Sequence, residues 1–152
     1  MITFQLIQPP SGGVTMIDLR DQIDIYAQWD GHQLDLIASS EGLEKLIHII
    51  KAQKFGIYKI SDSSTFTDGT NISTIEINHG NGRLIMKILG DALSLSGSQK
   101  FLSIFATNLE RLKISWAHGE PEHLHNDSLS NPFLISPDSE PFIVSQKHVA
   151  YQ

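Results

Sequence analysis

Gln33-Leu34-Asp35-Leu36-Ile37-Ala38-Ser39-Ser40 runs straight into Glu41-Gly42-Leu43-Glu44-Lys45-Leu46-Ile47-His48-Ile49-Ile50-Lys51. The first part alternates as a half-buried strand does, and the second carries Leu43, Leu46, Ile47 and Ile50 on one stripe of a helix. Ser39-Ser40 supplies capping hydroxyls at the junction. Glu41 and Glu44 suit the positive end of the helix, Lys51 and Lys54 suit the negative end, and Gly56 closes it. Ahead of this unit, Ile23 to Trp29 alternates loosely as a second strand, and Asp30-Gly31 reads as a two-residue hairpin turn.

The same logic recurs further along. Thr74 to Asn78 reads as a strand, Gly80-Asn81-Gly82 as a type I′ hairpin turn, and Arg83 to Leu89 as the returning strand. Gly90-Asp91 turns again into Ala92 to Ser96, and Ser98 can cap a helix carrying Phe101, Leu102, Phe105, Leu109 and Leu112. An offset of 59 residues superposes the two strand-to-helix units without a gap: Leu34 on Leu93, Leu36 on Leu95, Ser39 on Ser98, Leu43 on Leu102, Leu46 on Phe105 and Ile50 on Leu109. The chain reads as one α+β domain over 1–152, with duplicated strand-hairpin-helix halves at about 23–54 and 74–112. The simplest assembly is a single antiparallel sheet with two helices on one face.

Two stretches break the pattern. Ser61 to Ser73 is rich in Ser, Thr, Asp and Gly and reads as a loop or edge hairpin. From about 115 to 152, Pro121, Pro132, Pro137 and Pro141 interrupt every run, which gives an irregular proline-rich C-terminal arm with a frayed end from Lys147 to Gln152.

Composition removes several classes of function. A chain of 152 residues with 40% apolar side chains can build one ordinary core. There is no cysteine, which excludes disulfides, thiolate metal sites and cysteine nucleophiles. The first residues lack a signal-peptide pattern, and no apolar run approaches the ~20 residues needed to cross a bilayer, so a cytoplasmic protein is expected. The formal charge is −6, from 17 acidic and 11 basic side chains, with no Lys/Arg stripe. That balance argues against nucleic acid and suits steering toward a basic protein partner. Ser11-Gly12-Gly13 lacks the strand-to-helix context of a nucleophile elbow, and no phosphate-cradling loop is present.

The tail holds the cluster with most chemical content: Trp116, His118, Glu120, Glu122, His123, His125 and Asp127. If Pro121 to Asp127 is extended, His123, His125 and Asp127 share one face and form a candidate metal ligand set. The same cluster is a candidate partner-binding surface, with Trp116, His118, Glu120, Glu122, His123 and His125 as its contacts. No catalytic residue and no organic cofactor site is assigned.

His123-Leu124-His125, followed by Asn131-Pro132-Phe133-Leu134-Ile135-Ser136-Pro137-Asp138-Ser139-Glu140-Pro141-Phe142-Ile143-Val144, resembles the ending of a bacterial immunity-protein family from polymorphic toxin systems. The resemblance covers this stretch alone. It implies a small cytoplasmic protein, not an enzyme, that binds and neutralises a cognate toxin domain, and a nuclease-type toxin would offer the basic partner. Two other readings stay open at this point: a small metal-dependent enzyme built on His123, His125 and Asp127, and a structural domain that self-associates as a homodimer.

Overall fold

A computed structural model describes residues 4–7, 15–18, 22–61 and 72–147. The Ser11-Gly12-Gly13 segment, residues 62–71 of the Ser/Thr-rich stretch and the end of the chain after Lys147 lie outside the described residues. In chain order the elements are β1 (Phe4–Ile7), β2 (Thr15–Asp18), β3 (Ile25–Trp29), β4 (Leu34–Ala38), α1 (Ser40–Lys51), β5 (Gly56–Lys59), β6 (Thr74–His79), β7 (Ile85–Leu89), β8 (Ala92–Gly97), α2 (Gln99–Ala117), β9 (Leu124–Asn126) and β10 (Phe142–Gln146).

The class is α+β, but the single antiparallel sheet is corrected to two mixed sheets of four strands, in the orders β3-β4-β10-β9 and β5-β6-β8-β7, beside the two-stranded β1-β2 ribbon. The cause lies in two parallel pairings that join strands distant in sequence. β10 lies parallel to β4, with Phe142 opposite Leu34 and Val144 opposite Leu36. β6 lies parallel to β8, with Ile75 opposite Leu93 and Ile77 opposite Leu95. Since Leu34 superposes on Leu93 and Leu36 on Leu95, Phe142 takes the place of Ile75 and Val144 that of Ile77. Each sheet is therefore an antiparallel pair, a parallel junction and an antiparallel hairpin whose last strand feeds a helix.

This geometry recasts the C-terminal arm. In the second half the outer pair (β5, β6) precedes its hairpin in the chain. In the first half the equivalent pair (β9, β10) follows α2 and returns to dock on β4. The arm completes the first sheet, and the repeat is read in circularly permuted order.

The superposed apolar residues of the two units are all core: Leu34, Leu36, Leu43, Leu46, Ile50, Leu93, Leu95, Leu102, Phe105 and Leu109 are each at most 2% exposed. They form one cluster with Phe142, Val144, Leu134 and Ile135. Each such side chain contributes about 1.5–3 kcal/mol of burial free energy, which is why the strand periodicity survives in both halves. α1 and α2 pack on each other. Lys51 pairs with Glu110, and Lys113 lies 3.4 Å from Glu44 across their outer seam.

Turn chemistry differs from expectation in two places. Asp30-Gly31 does not form a two-residue turn, since four residues separate β3 from β4. The Asp30 Oδ1 accepts hydrogen bonds from the His32 and Gln33 N–H groups, both at 2.7 Å, and Gly31 takes φ 96°. Gly80-Asn81-Gly82 is not a hairpin tip, because β6 and β7 do not pair; β8 lies between them. The glycines carry the chain across the end of β8, where Gly80 N–H bonds to Gly97 O and Ser98 N–H to Gly82 O. A Cβ on Gly80 would sit 3.1 Å from the Gly97 nitrogen. The tight β7–β8 turn is Gly90-Asp91, with Gly90 at φ 67°.

Asp24 ties four segments together. Its carboxylate accepts from the Ser61 hydroxyl at 3.1 Å, lies 3.5 Å from the Lys147 ammonium, and is bonded by Ser39, the N-cap of α1. Partial burial pushes this carboxyl up, but the Ser39 and Ser61 hydroxyls and Lys147 outweigh it and hold the group below the usual carboxylate value. A depressed folded-state value gives stability that is present above the unfolded value of about 3.9 and is lost as pH falls through the folded one. Asp24→Asn is expected to flatten the acid limb of stability against pH below about 4. Denaturant titrations across that range measure the effect.

Candidate interaction surface on the C-terminal arm

α2 ends on a stop signal that sets the course of the arm. His118 is the C-cap, Gly119 takes φ 78°, and the Gly119 and Glu120 N–H groups bond back to Trp116 O and Ser115 O. A left-handed glycine after a C-cap is the usual way to satisfy the last carbonyls of a helix. Trp116 then pins the returning chain: it is only 5% exposed, and its indole N–H donates to Glu122 O at 2.9 Å. Trp116 was expected on the partner-binding surface. It instead turns inward from the last turn of the helix and holds Glu122 in place.

Beyond that pin, His118, Glu120, Glu122, His123 and His125 are all exposed. His123 and His125 stand close together, with ring centroids 6.4 Å apart at 85°. Asp127 does not join them as a third ligand. Its Oδ1 accepts from Ser130 N–H at 2.7 Å and Leu129 N–H at 3.1 Å, and its Oδ2 accepts from the Ser130 hydroxyl at 2.9 Å. The Ser130 backbone, then its hydroxyl, hold the Asp127 carboxyl below the usual carboxylate value. The carboxylate is spent on closing a turn, as Asx residues do. Among the described residues no group of three His, Asp or Glu side chains is placed to hold a metal.

The turn set by Asp127 leads into the segment that bears the resemblance, and most of that segment is structural. Leu134, Ile135 and Ser136 are buried along the edge of β7, where Leu84 N–H bonds to Leu134 O and Ser136 N–H to Leu84 O. The Ser139 hydroxyl accepts from Met86 N–H and donates to Glu140 O, while Glu140 N–H bonds to Met86 O. Leu134, Ser136, Ser139 and Glu140 thus cover the open edge at Leu84 and Met86, where β7 begins, which would otherwise invite another strand.

Between these anchors the arm lifts apolar side chains into solvent. Leu129 is 95% exposed and Phe133 is 60% exposed. Phe133 meets Phe101 of α2 edge to face at 5.7 Å, with Lys100 above both rings. The Arg83 guanidinium donates to Pro132 O at 2.7 Å, so the backbone beneath Phe133 is fixed. Neither Leu129 nor Phe133 stands out from sequence periodicity, because both sit among turn residues.

The readable signal was charge. From Ile114 to Gln146 there are five carboxylates (Glu120, Glu122, Asp127, Asp138 and Glu140) and no Lys or Arg. The other 12 acidic residues are met by all 11 basic ones, so nearly the whole excess negative charge belongs to the arm.

Concavities among the described residues lie beside the arm and between the helices. One of about 150 Å³ lies between α2 and the arm, lined by Asn108, Arg111, Leu112, Glu122, His123 and Leu124. A larger one, about 480 Å³, lies between α1 and α2, where Glu44 and Glu110 are engaged by Lys113 and Lys51. Carboxylates neutralised in this way are poorly placed for acid–base chemistry.

The fold defines an α+β protein of two matched mixed sheets with an acidic, partly apolar arm. No family model matches the chain, and neither a curated protein nor a solved structure matches it. Among the described residues, no helix is long and apolar enough to cross a membrane.

Proposed function

We propose that the chain is a protein-binding module rather than an enzyme, a cytoplasmic immunity protein that neutralises a cognate toxin domain by docking its C-terminal arm on a basic surface of that domain. The observation that carries this reading is the pairing of charge and apolar exposure on the arm. Leu129 and Phe133 project from a backbone fixed by Asp127 and Arg83, within a stretch of five carboxylates and no Lys or Arg. Exposed apolar anchors on a rigid frame are the usual source of binding energy, and the carboxylates of the arm supply steering and selectivity, although Lys100 and Arg83 border Phe133 itself. Glu120, Glu122, His118, His123 and His125 belong to the polar rim of this surface.

The test is a search of the neighbouring reading frames for a toxin domain, followed by binding and growth protection against it; the absence of such a neighbour would count against the reading. Phe133→Asp and Leu129→Asp are each expected to weaken binding by at least about thirtyfold, the loss of one anchor worth ~2 kcal/mol. The midpoint of thermal unfolding should barely move, because both side chains lie outside the core. Unchanged affinity in both variants, or a toxin domain that does not bind, sinks the reading. The metal-dependent alternative loses its third ligand to the Asp127 turn, and no observation favours self-association.

A further inference from the structure

His123 and His125 are used by neither the core nor the backbone frame of the arm. They flank Leu124 at the start of β9, which among the described residues pairs with β10 alone, and His125 lies opposite Ile143. Alternation puts both imidazoles on the same side, away from Asn126 and the core. Their ring centroids are 6.4 Å apart and their planes nearly perpendicular.

That spacing has a chemical meaning. An imidazole nitrogen binds zinc at about 2.0–2.1 Å, which puts each ring centroid about 3.2 Å from the ion. Two imidazoles on one ion then have centroids about 5.2 Å apart at a tetrahedral angle and up to about 6.4 Å when opposed. The pair stands at the wide end of this range. Both rings are exposed, so rotation about side-chain torsions alone can close the remaining distance. Glu122 borders the site and favours a cation there, whereas Arg111, across the small cleft from His123, opposes one.

We infer that His123 and His125 form a two-imidazole chelating site for a late first-row divalent cation such as Zn²⁺, Ni²⁺ or Cu²⁺. Its remaining coordination positions are open to water or to a donor from a docked partner. Nitrogen ligands with no carboxylate in the set select these ions over Mg²⁺ and Ca²⁺. The site differs from a His123, His125 and Asp127 triad in needing nothing from Asp127, and it stands or falls independently of the toxin-binding reading.

Calorimetric titration of the tag-free full chain with ZnCl₂, and separately with NiCl₂ and MgCl₂, tests it. Expected is saturable binding of Zn²⁺ and Ni²⁺ but not Mg²⁺. The affinity should fall by at least about tenfold in His123→Ala and in His125→Ala, since even a supporting group costs that much. His118→Ala and Asp127→Asn should bind as the parent does. Both key variants change exposed side chains, and an unchanged unfolding midpoint confirms that the fold is intact. Absence of Zn²⁺ and Ni²⁺ binding, binding that neither His123→Ala nor His125→Ala weakens, or equal loss in His118→Ala overturns the assignment.

Discussion

Phe142→Ala is expected to destabilise the protein by about 3–5 kcal/mol, a large share of the ~5–15 kcal/mol that a domain of this kind possesses. Phe142 opens β10, is 1% exposed, and meets Phe105 of α2 edge to face at 5.8 Å. It stands opposite Leu34 on one side and Asn126 on the other, so its loss leaves a cavity where sheet and helix meet. Removal of residues 142–147 should go further and abolish cooperative unfolding. It strips β4 of its parallel neighbour and β9 of its only strand partner among the described residues, and it removes the Lys147 contact to Asp24. Chemical denaturation of Phe142→Ala beside Phe133→Ala makes the comparison direct. A loose arm would make both substitutions nearly silent, as surface changes are, whereas an integral strand makes Phe142 costly and Phe133 cheap.

Gly42→Ala should reverse the usual sign of a helix substitution. In an exposed helix interior alanine is favoured over glycine by about 1 kcal/mol. Gly42 lies in the first turn of α1, and a Cβ there would overlap the Asp24 carbonyl oxygen and come within 2.8 Å of its carbon. The obstacle is backbone and cannot rotate away. That backbone also accepts the Ser39 N–H at 3.2 Å, so displacing it disturbs the cap of α1. The expected outcome is a loss of at least about 2 kcal/mol, as overpacking in a tight junction costs. A stabilised Gly42→Ala protein would show that α1 and the Asp24 segment are less closely joined.

The parts of the fold legible in the sequence are those set by local physics. The runs Leu34–Ala38 and Leu93–Ser96 alternate because one face of each strand is buried, and the Leu43 to Ile50 stripe is helical because one side meets the core. Such patterns are written within a few residues. The parallel pairings of β10 with β4 and β6 with β8 are not, because nothing in Phe142-Ile143-Val144 names its neighbour. The same run on an edge, in a centre or as a loose anchor has the same composition. Gly80-Asn81-Gly82 misled for a related reason: its glycines answer to the passage over Gly97, not to a local turn.

The arm shows the same division at the candidate site. His118, Glu120, Glu122, His123 and His125 were legible as an exposed polar cluster. Trp116 was misplaced because only the three-dimensional course of the chain brings Glu122 O to its indole. Asp127 was misassigned because its nearest donors, Leu129 and Ser130 N–H, become available only once the turn forms. Leu129 and Phe133 carried no periodic signal, and their exposure is a tertiary fact.

The most direct test of the central claim, that the arm is the partner-facing surface, is amide hydrogen exchange with and without the proposed toxin partner. The account predicts slowed exchange across residues 118–140, centred on Leu129 and Phe133, with the amides of α1 unchanged. Protection confined to the α1–α2 groove, or no protection anywhere on the arm, would contradict it.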